Sequence, residues 1–414
     1  MSDVTPVAVI LDSADFGPPR VIGSIRRAGR RGGPISFEFD ERWLAADAEI
    51  TLDPALGHYP GPQYPAGPLF GFLSDIAPDR WGRMLLQRQE AVEARRDGRP
   101  QQTLDEWDFL TRISDESRMG ALRLRADDDF IGTSDPPVPP VARLTELQEL
   151  ARMADEGVPI GDADDTRQLL LLVAPGSSLG GARPKASFRA DDGSLWLAKF
   201  PSATDRWNVG AWERVLNTLA GLAGITVPES TLLPIARPYG TFAARRFDRT
   251  PEERRRLYTS AMTLTRGSDH DPEATYVAIA EAIATFGHPK FIDADLKELF
   301  RRVVFNIATG HRDDHLRNHG FLGTPRGWRL APAFDINPVP TQVDHAIGID
   351  VNDHTVSLEL AVATAPYYRL TTAEIDGIVG DVLAAVRTWR AHASVFGIGR
   401  DETEMMASVF IETR

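Results

Sequence analysis

The stretch that most constrains this chain is His311-Arg312-Asp313-Asp314-His315-Leu316-Arg317-Asn318, followed by His319-Gly320-Phe321-Leu322. It carries the spacing H-R-D-x-x-x-x-N, and chemistry explains that spacing. An Asp accepts the proton of an attacking hydroxyl, and an Asn further along holds a magnesium ion on the phosphates. A loop anchored between two apolar runs can present both. Upstream, Leu299, Phe300, Val303, Val304 and Ile307 recur at helical spacing, and downstream Gly320-Phe321-Leu322 reads as the start of a short strand. Two other readings stand beside this one. His311, His315 and His319 would share a helix face as zinc ligands, or the stretch is a solvated polar loop. Asp313, Asp314 and Arg317 suit a phosphate site better than a zinc face.

Taken from its start, the chain opens as β structure. Val7 to Leu11, Val21 to Ile25 and the alternating Ile35-Ser36-Phe37-Glu38-Phe39 are strand-like. Residues 51–68 read as a Pro/Gly-rich loop. A helix is expected through Met84, Leu85 and Leu86, and another from Asp105 to near Met119-Gly120. The proline-rich Gly132 to Pro140 stretch blocks helix and reads as a linker. A helix from Leu144 to Met153 would follow, with Thr145 near its cap. The expected domains are 1–135, 141–248 and 249–414.

The glycine-serine stretch Ala174 to Lys185 is not a Walker A loop, because Ala182 stands where that motif needs Lys. Its backbone N–H groups could still cradle phosphates; a surface turn is the alternative. Asp191-Asp192-Gly193 signals a hairpin. Leu195, Leu197 and Lys199 would share one face of its second strand. An ammonium on an apolar face wants an anion, unless it snorkels at the strand end. A helix from Val209 to Leu222 carries Glu213, which could pair with Lys199. Strands are expected at Thr231 to Ile235 and at Thr241 to Asp248. Arg254-Arg255-Arg256 reads as a solvated helix face. Helices over 273–286 and 293–308 feed the Asp-Asn loop. Asp335 is expected at the end of an apolar strand as a metal-binding Asp or, alternatively, as a turn cap. Thr371-Thr372-Ala373-Glu374 is a capping box before an apolar periodic run.

Composition limits the alternatives. The 414 residues include no cysteine, which removes disulfides, thiolate chemistry and Cys-containing zinc sites. A net charge of −13 disfavours direct nucleic-acid binding. The N-terminus has neither a basic start nor a cleavable apolar core, and no apolar run would span a bilayer. A cytoplasmic protein with no membrane association is the expectation.

Glycine loop, strand Lys, helix Glu, Asp-Asn loop and metal Asp occur in the order of a protein kinase. Together with Leu73-Ser74-Asp75-Ile76-Ala77-Pro78-Asp79, Gly180-Gly181-Ala182-Arg183-Pro184-Lys185, Arg246-Phe247-Asp248-Arg249 and Asp313-x-His315-x-x-Asn318, the chain resembles the HipA family. These are serine/threonine kinases that act as toxins of bacterial toxin–antitoxin pairs. The resemblance implies an α+β, bilobal protein-kinase-like fold with a β-rich N-terminal subdomain and a mainly helical C-terminal lobe. It implies ATP and Mg2+ as cofactors, Asp313 as catalytic base, Asn318 and Asp335 on magnesium, and Lys199 on the phosphates with Glu213 beside it. Ser178, Gly180, Gly181, Ala182, Arg246, Phe247 and His315 join the implied nucleotide site. Ser178, or the adjacent Ser177, falls on the autophosphorylation position, where a phosphate adds about −1.5 to −2 charge. Arg245 departs from an acidic residue common at that place, and His311 replaces the usual Asn. The implied partners are a HipB-like helix-turn-helix antitoxin, which would bring the chain to DNA only indirectly, and a protein substrate such as an aminoacyl-tRNA synthetase. Two other functions remain at this point: a small-molecule kinase of aminoglycoside or homoserine type, and a non-catalytic corepressor.

Overall fold

The computed structural model describes residues 6–27, 29, 31–46, 50–132, 137–158, 172, 183–235, 238–269 and 271–411. Its contacts divide the chain into two compact units. The first comprises Met1–Thr204, Arg245–Thr259 and Leu322–Pro325; the second comprises Asp205–Ala244, Ser260–Phe321 and Arg326–Arg414. The proline-rich residues 137–140 lie inside the first unit.

The first unit is built on an antiparallel sheet in the order β3-β2-β1-β4-β5, with β1 at Val7–Leu11, β2 at Arg20–Arg27, β3 at Ile35–Phe39, β4 at Leu122–Ala126 and β5 at Asp129–Phe130. The three N-terminal strands are those the apolar runs predict. Val9, Ile22, Ile25, Ile35, Phe37 and Leu124 are fully buried. Phe37 meets Phe39 and Phe72 edge-on, at 4.8 and 5.2 Å between ring centroids. That packing requires Gly23, where a Cβ would lie 2.5 Å from the Phe37 ring.

Beyond the sheet, Asp79 caps the helix Arg80–Arg96 by accepting from the Gly82 N–H at 2.8 Å. Its other oxygen accepts from the Lys185 ammonium at 2.6 Å, with both side chains buried. Lys185 opens strand β6 (Lys185–Arg189), which pairs antiparallel with β7 (Leu195–Lys199). The turn between them is the expected Asp191-Asp192-Gly193, where Asp192 accepts from the Ser194 N–H and hydroxyl and Gly193 takes φ 83°. β7 is buried on both faces, not along Leu195, Leu197 and Lys199 alone.

Three expectations are corrected in this unit. The helix beginning after Asp105 ends at Thr111 instead of near Gly120. Arg254-Arg255-Arg256 is not helical. Arg255 is largely buried, 3.3 Å from the Asp115 carboxylate and donating to the carbonyls of Arg118 and Gly120. The carbonyls of residues 115–118 and 120 accept from arginine side chains that include Arg255. Thr145 caps nothing, since Leu144–Asp155 begins after Arg143 with no side-chain cap.

Asp248 organises this arginine cluster. It is 1% exposed and accepts from Arg246 Nε at 2.8 Å, Arg249 Nη1 at 2.6 Å and the Gly120 N–H at 2.7 Å. Burial raises its pKa, but Arg246 and Arg249 outweigh that and hold it well below the usual carboxylate range.

The second unit is mainly helical, with helices Val209–Leu222, Tyr276–Phe286, Ile292–Thr309 and Thr372–Val386, and a short ladder pairing Ser230–Leu233 with residues 241–244. The first of these helices has the expected limits. Trp212 is buried in it, and its indole donates to Glu402 at 2.7 Å. Thr371 and Glu374 form the expected capping box.

A carboxylate with a depressed folded pKa stabilises the fold above its unfolded pKa and loses that contribution as pH falls. Asp248→Asn is therefore expected to destabilise the protein by about 3–5 kcal/mol at neutral pH. The loss should shrink as pH is lowered through the carboxylate range. Denaturant melts of both proteins at several pH values measure it, and a constant difference would contradict it.

Candidate active site

The Asp-Asn loop begins where the helix Ile292–Thr309 is forced to stop. Nearly every residue of its last two turns is buried, so the apolar pattern alone would carry it further. Gly310 ends it with a left-handed φ of 64°. A Cβ at Gly310 would sit 2.6 Å from Val409 Cβ, so only glycine fits both demands. The released chain is irregular through His315, followed by a single turn at Leu316–Asn318 and the strand Gly320–Thr324. His311, His315 and His319 thus share no helix face. Among the described residues no cluster of three His, Asp or Glu side chains is arranged to hold a metal.

Asp313 is exposed and Asp314 is buried. One Asp314 oxygen, Oδ2, accepts from the Tyr276 hydroxyl at 2.5 Å, Asn306 Nδ2 at 2.9 Å and His319 Nε2 at 2.8 Å. His311 Nε2 stands 3.7 Å from the other oxygen. Burial alone would raise the pKa of Asp314, but His319 and His311 hold it well below the ordinary value. Burial pulls His311 down, while Asp314 and the Asn337 carbonyl outweigh it, so that the imidazole is raised above 6.5. Tyr276 is raised well above 10, first by burial and then by the neighbouring carboxylate. His345, whose ring lies edge-on to Tyr276, is pushed by burial to about 4 and stays neutral.

Asn318 is buried, and its amide nitrogen lies 3.5 Å from the Asp313 carbonyl. Its Oδ1 is buried and accepts no hydrogen bond among the described residues. A buried orphan acceptor is what a hard cation takes up, so this residue fits the magnesium role expected of it. Phe334 and Ile336, the neighbours of Asp335, line the same small cavity as Asn318, His311, Asp314 and Arg302. The expectation that Asp335 ends a strand is corrected: the strand Gly327–Leu330 closes five residues earlier. Pro332 has no N–H for a ladder, and the Ala333 N–H donates to Thr226. Asp335 instead adopts a left-handed φ of 59°, rare for a non-glycine residue and concentrated at functional sites. Asp313, Asn318 and Asp335 all belong to the second unit, and the two neighbours of Asp335 share a cavity with Asn318. With few protein ligands on offer, a magnesium ion here would complete its shell with phosphate oxygens and water.

The remaining expected site residues are placed as follows. Glu213 is buried in its helix, which is unusual for Glu and requires a compensating partner. Lys199 is buried at the end of β7 in the first unit, across the ladder from Lys185. Arg246, expected near nucleotide, commits each of its three nitrogens to the first unit: Nε to Asp248, Nη1 to the Ser117 carbonyl and Nη2 to Asp248 and the Arg118 carbonyl. The Phe247 ring leans on Tyr258 at 6.1 Å. His315 precedes the Leu316–Asn318 turn, and its carbonyl accepts from the Asn318 N–H. Ser177, Ser178, Gly180, Gly181 and Ala182 lie outside the described residues.

Sequence reasoning did not single out Tyr276, Asn306 or Asp314 as a unit. The Asp313-Asp314 doublet was the available signal, since two adjacent carboxylates rarely do the same job. Tyr276 and Asn306 carry no local mark. A group with a raised folded pKa stabilises below its unfolded pKa and loses that contribution as pH rises. His311 is therefore expected to titrate above 6.5 by NMR and to fall in Asp314→Asn, with part of the fold stability lost as pH rises beyond that point. An unchanged midpoint would refute the pairing.

Residues 177–389, half of the chain, match the model of the HipA-like C-terminal domain. Two curated relatives, both provisionally named as kinases, align in part. Y4dM of Sinorhizobium fredii is 29% identical over 157 residues, covering 35% of this chain and 37% of that protein. A Haemophilus influenzae protein is 27% identical over 206 residues, covering 42% and 58%. The aligned part thus spans less than two thirds of either relative. Among solved structures, the Shewanella oneidensis MR-1 complex of HipA, HipB and operator DNA contains a chain that matches with a TM-score of 0.66 at 13% identity, covering 97% of this chain and 94% of that one. At that identity the likeness speaks for fold alone: the expected α+β, kinase-like HipA-type fold is the one found. Among the described residues no helix is long and apolar enough to cross a membrane. With the family model matching half its length, this chain belongs to the HipA-like C-terminal domain family.

Proposed function

We propose that this chain is an ATP-dependent serine/threonine protein kinase of the HipA type, acting in the cytoplasm as the toxin of a toxin–antitoxin pair. One observation carries the reading: Asp313 is exposed on the loop, and the buried Asn318, whose amide oxygen has no partner among the described residues, shares a cavity with the neighbours of a left-handed Asp335. Phosphotransfer needs little covalent chemistry from a protein; it needs position and charge. Asp313 accepts the proton of the attacking hydroxyl, and its exposure leaves room for a substrate side chain. Asn318 and Asp335 would hold magnesium, which when bound would neutralise charge on the phosphates. The family resemblance assigns Lys199 to the phosphates and Glu213 as its acidic partner.

Autophosphorylation falls on Ser178 or Ser177. Support for a HipB-like helix-turn-helix partner comes from the Shewanella complex, in which HipA is found with HipB and operator DNA. An acidic chain reaches DNA through such a partner more readily than alone, since its net charge is −13. The substrate we infer is a translation component such as an aminoacyl-tRNA synthetase.

Incubation with labelled ATP and magnesium is expected to place phosphate on Ser178 or Ser177, and Asp313→Asn should lower the rate by at least about 10²-fold. Growth arrest and one new protein phosphosite should follow expression of the parent chain only. ATP bound equally by both proteins with no transfer by either would overturn the kinase reading. Transfer to a small molecule and never to protein would overturn the protein substrate.

A further inference from the structure

Asp313 and Asp314 are chain neighbours with opposite environments, one exposed and the other 1% exposed. The backbone just beyond them is extended, with His315 at φ −140° and ψ 166°. The two carboxylates sit on adjacent residues, so anchoring the buried one restricts where the exposed one can reach. The inward one is held from three places along the chain: Tyr276 at the start of its helix, Asn306 in the last turn of another, and His319 after the loop.

His311 extends this anchor towards Asp335. Its Nε2 faces Asp314 at 3.7 Å. Its Nδ1 lies 2.9 Å from the Asn337 carbonyl and 3.2 Å from the Asn337 N–H, two residues beyond Asp335. The backbone adds its own ties between the two segments: the Val339 N–H donates to the Gly310 carbonyl and the Ala346 N–H to the Arg312 carbonyl. Those ties survive loss of either side chain, so the side chains govern fine register more than the fold.

We propose that Asp314 and His311 are positioning residues for phosphotransfer. Asp314 holds Asp313 towards the acceptor hydroxyl, and His311 sets the Asp335 segment against the same carboxylate. The inference rests on the kinase reading above. Neither residue touches substrate; both act through Asp313 and Asp335.

The test compares the parent chain with Asp313→Asn, Asp314→Asn, His311→Asn and His311→Ala. Turnover is measured at saturating ATP, alongside KM for ATP and thermal midpoint. Displacing a reacting group by about 1 Å costs on the order of 10²-fold. Asp314→Asn should thus lose about 10²-fold in kcat per folded molecule while KM for ATP stays within about twofold. His311→Asn keeps a polar group at the Nδ1 level and should retain more turnover than His311→Ala. A parental kcat in Asp314→Asn, with Asp313→Asn inactive, overturns the positioning role and leaves the kinase reading intact. Activity lost only in proportion to the unfolded fraction also overturns it, since that marks a purely structural residue. If the parent itself transfers no phosphate, the kinase reading falls and takes this inference with it.

Discussion

A single buried carboxylate, Asp314, is the constraint around which the second unit is arranged. An ionised group cannot be buried without partners that replace its lost hydration. Here the partners are a phenol, an amide and an imidazole, all directed at one oxygen, with a second imidazole near the other. Each partner comes from a different segment. Satisfying one charge therefore joins two helices and the loop at one point, on top of the backbone hydrogen bonds between the same segments. The low pKa of Asp314 and the raised pKa of His311 are two views of the same interaction. Beside it lies a small cavity lined by Asn318, whose Oδ1 has no hydrogen-bond partner among the described residues.

The first unit solves a related problem with the opposite sign. Arg118, Arg246, Arg249 and Arg255 are all largely buried beside Asp248 and Asp115, too few carboxylates to match them one for one. Carbonyl oxygens of residues 115–120 make up the difference. Arginine suits this because its fork of donors can serve several acceptors at once. The residues that supply these carbonyls form turns and bends between the helix ending at Thr111 and the strand beginning at Leu122. Burial still shows in the chemistry: the Arg249 guanidinium is pulled down to about 9 and that of Arg255 to about 10.

Such interactions explain which parts of the fold were legible in advance. The helix Val209–Leu222, the hairpin turn at Asp191-Asp192-Gly193 and the Thr371/Glu374 capping box are decided within a few residues, and each was read from its local pattern. Arg255 and Asp335 were misread for a common reason. A triple arginine is usually solvated and an Asp after an apolar run usually ends a strand. Here Asp115 lies 140 residues from its arginine partner. The Asp335 conformation goes with ties at Ala333 and Asn337 to remote chain.

The order of the chemical groups along the chain, and so the kind of reaction they suit, was determined by sequence alone. Spacing within the Asp313–Asn318 loop is a local property that survives without any fold. Only the tertiary structure decided which of the two adjacent Asp residues faces solvent. That choice depends on Tyr276, 38 residues from Asp314, and on Asn306 in a second helix, whose donors draw one carboxylate in and leave the other out. Burial of a charge is settled by the sum of its partners, and no short stretch of sequence contains that sum.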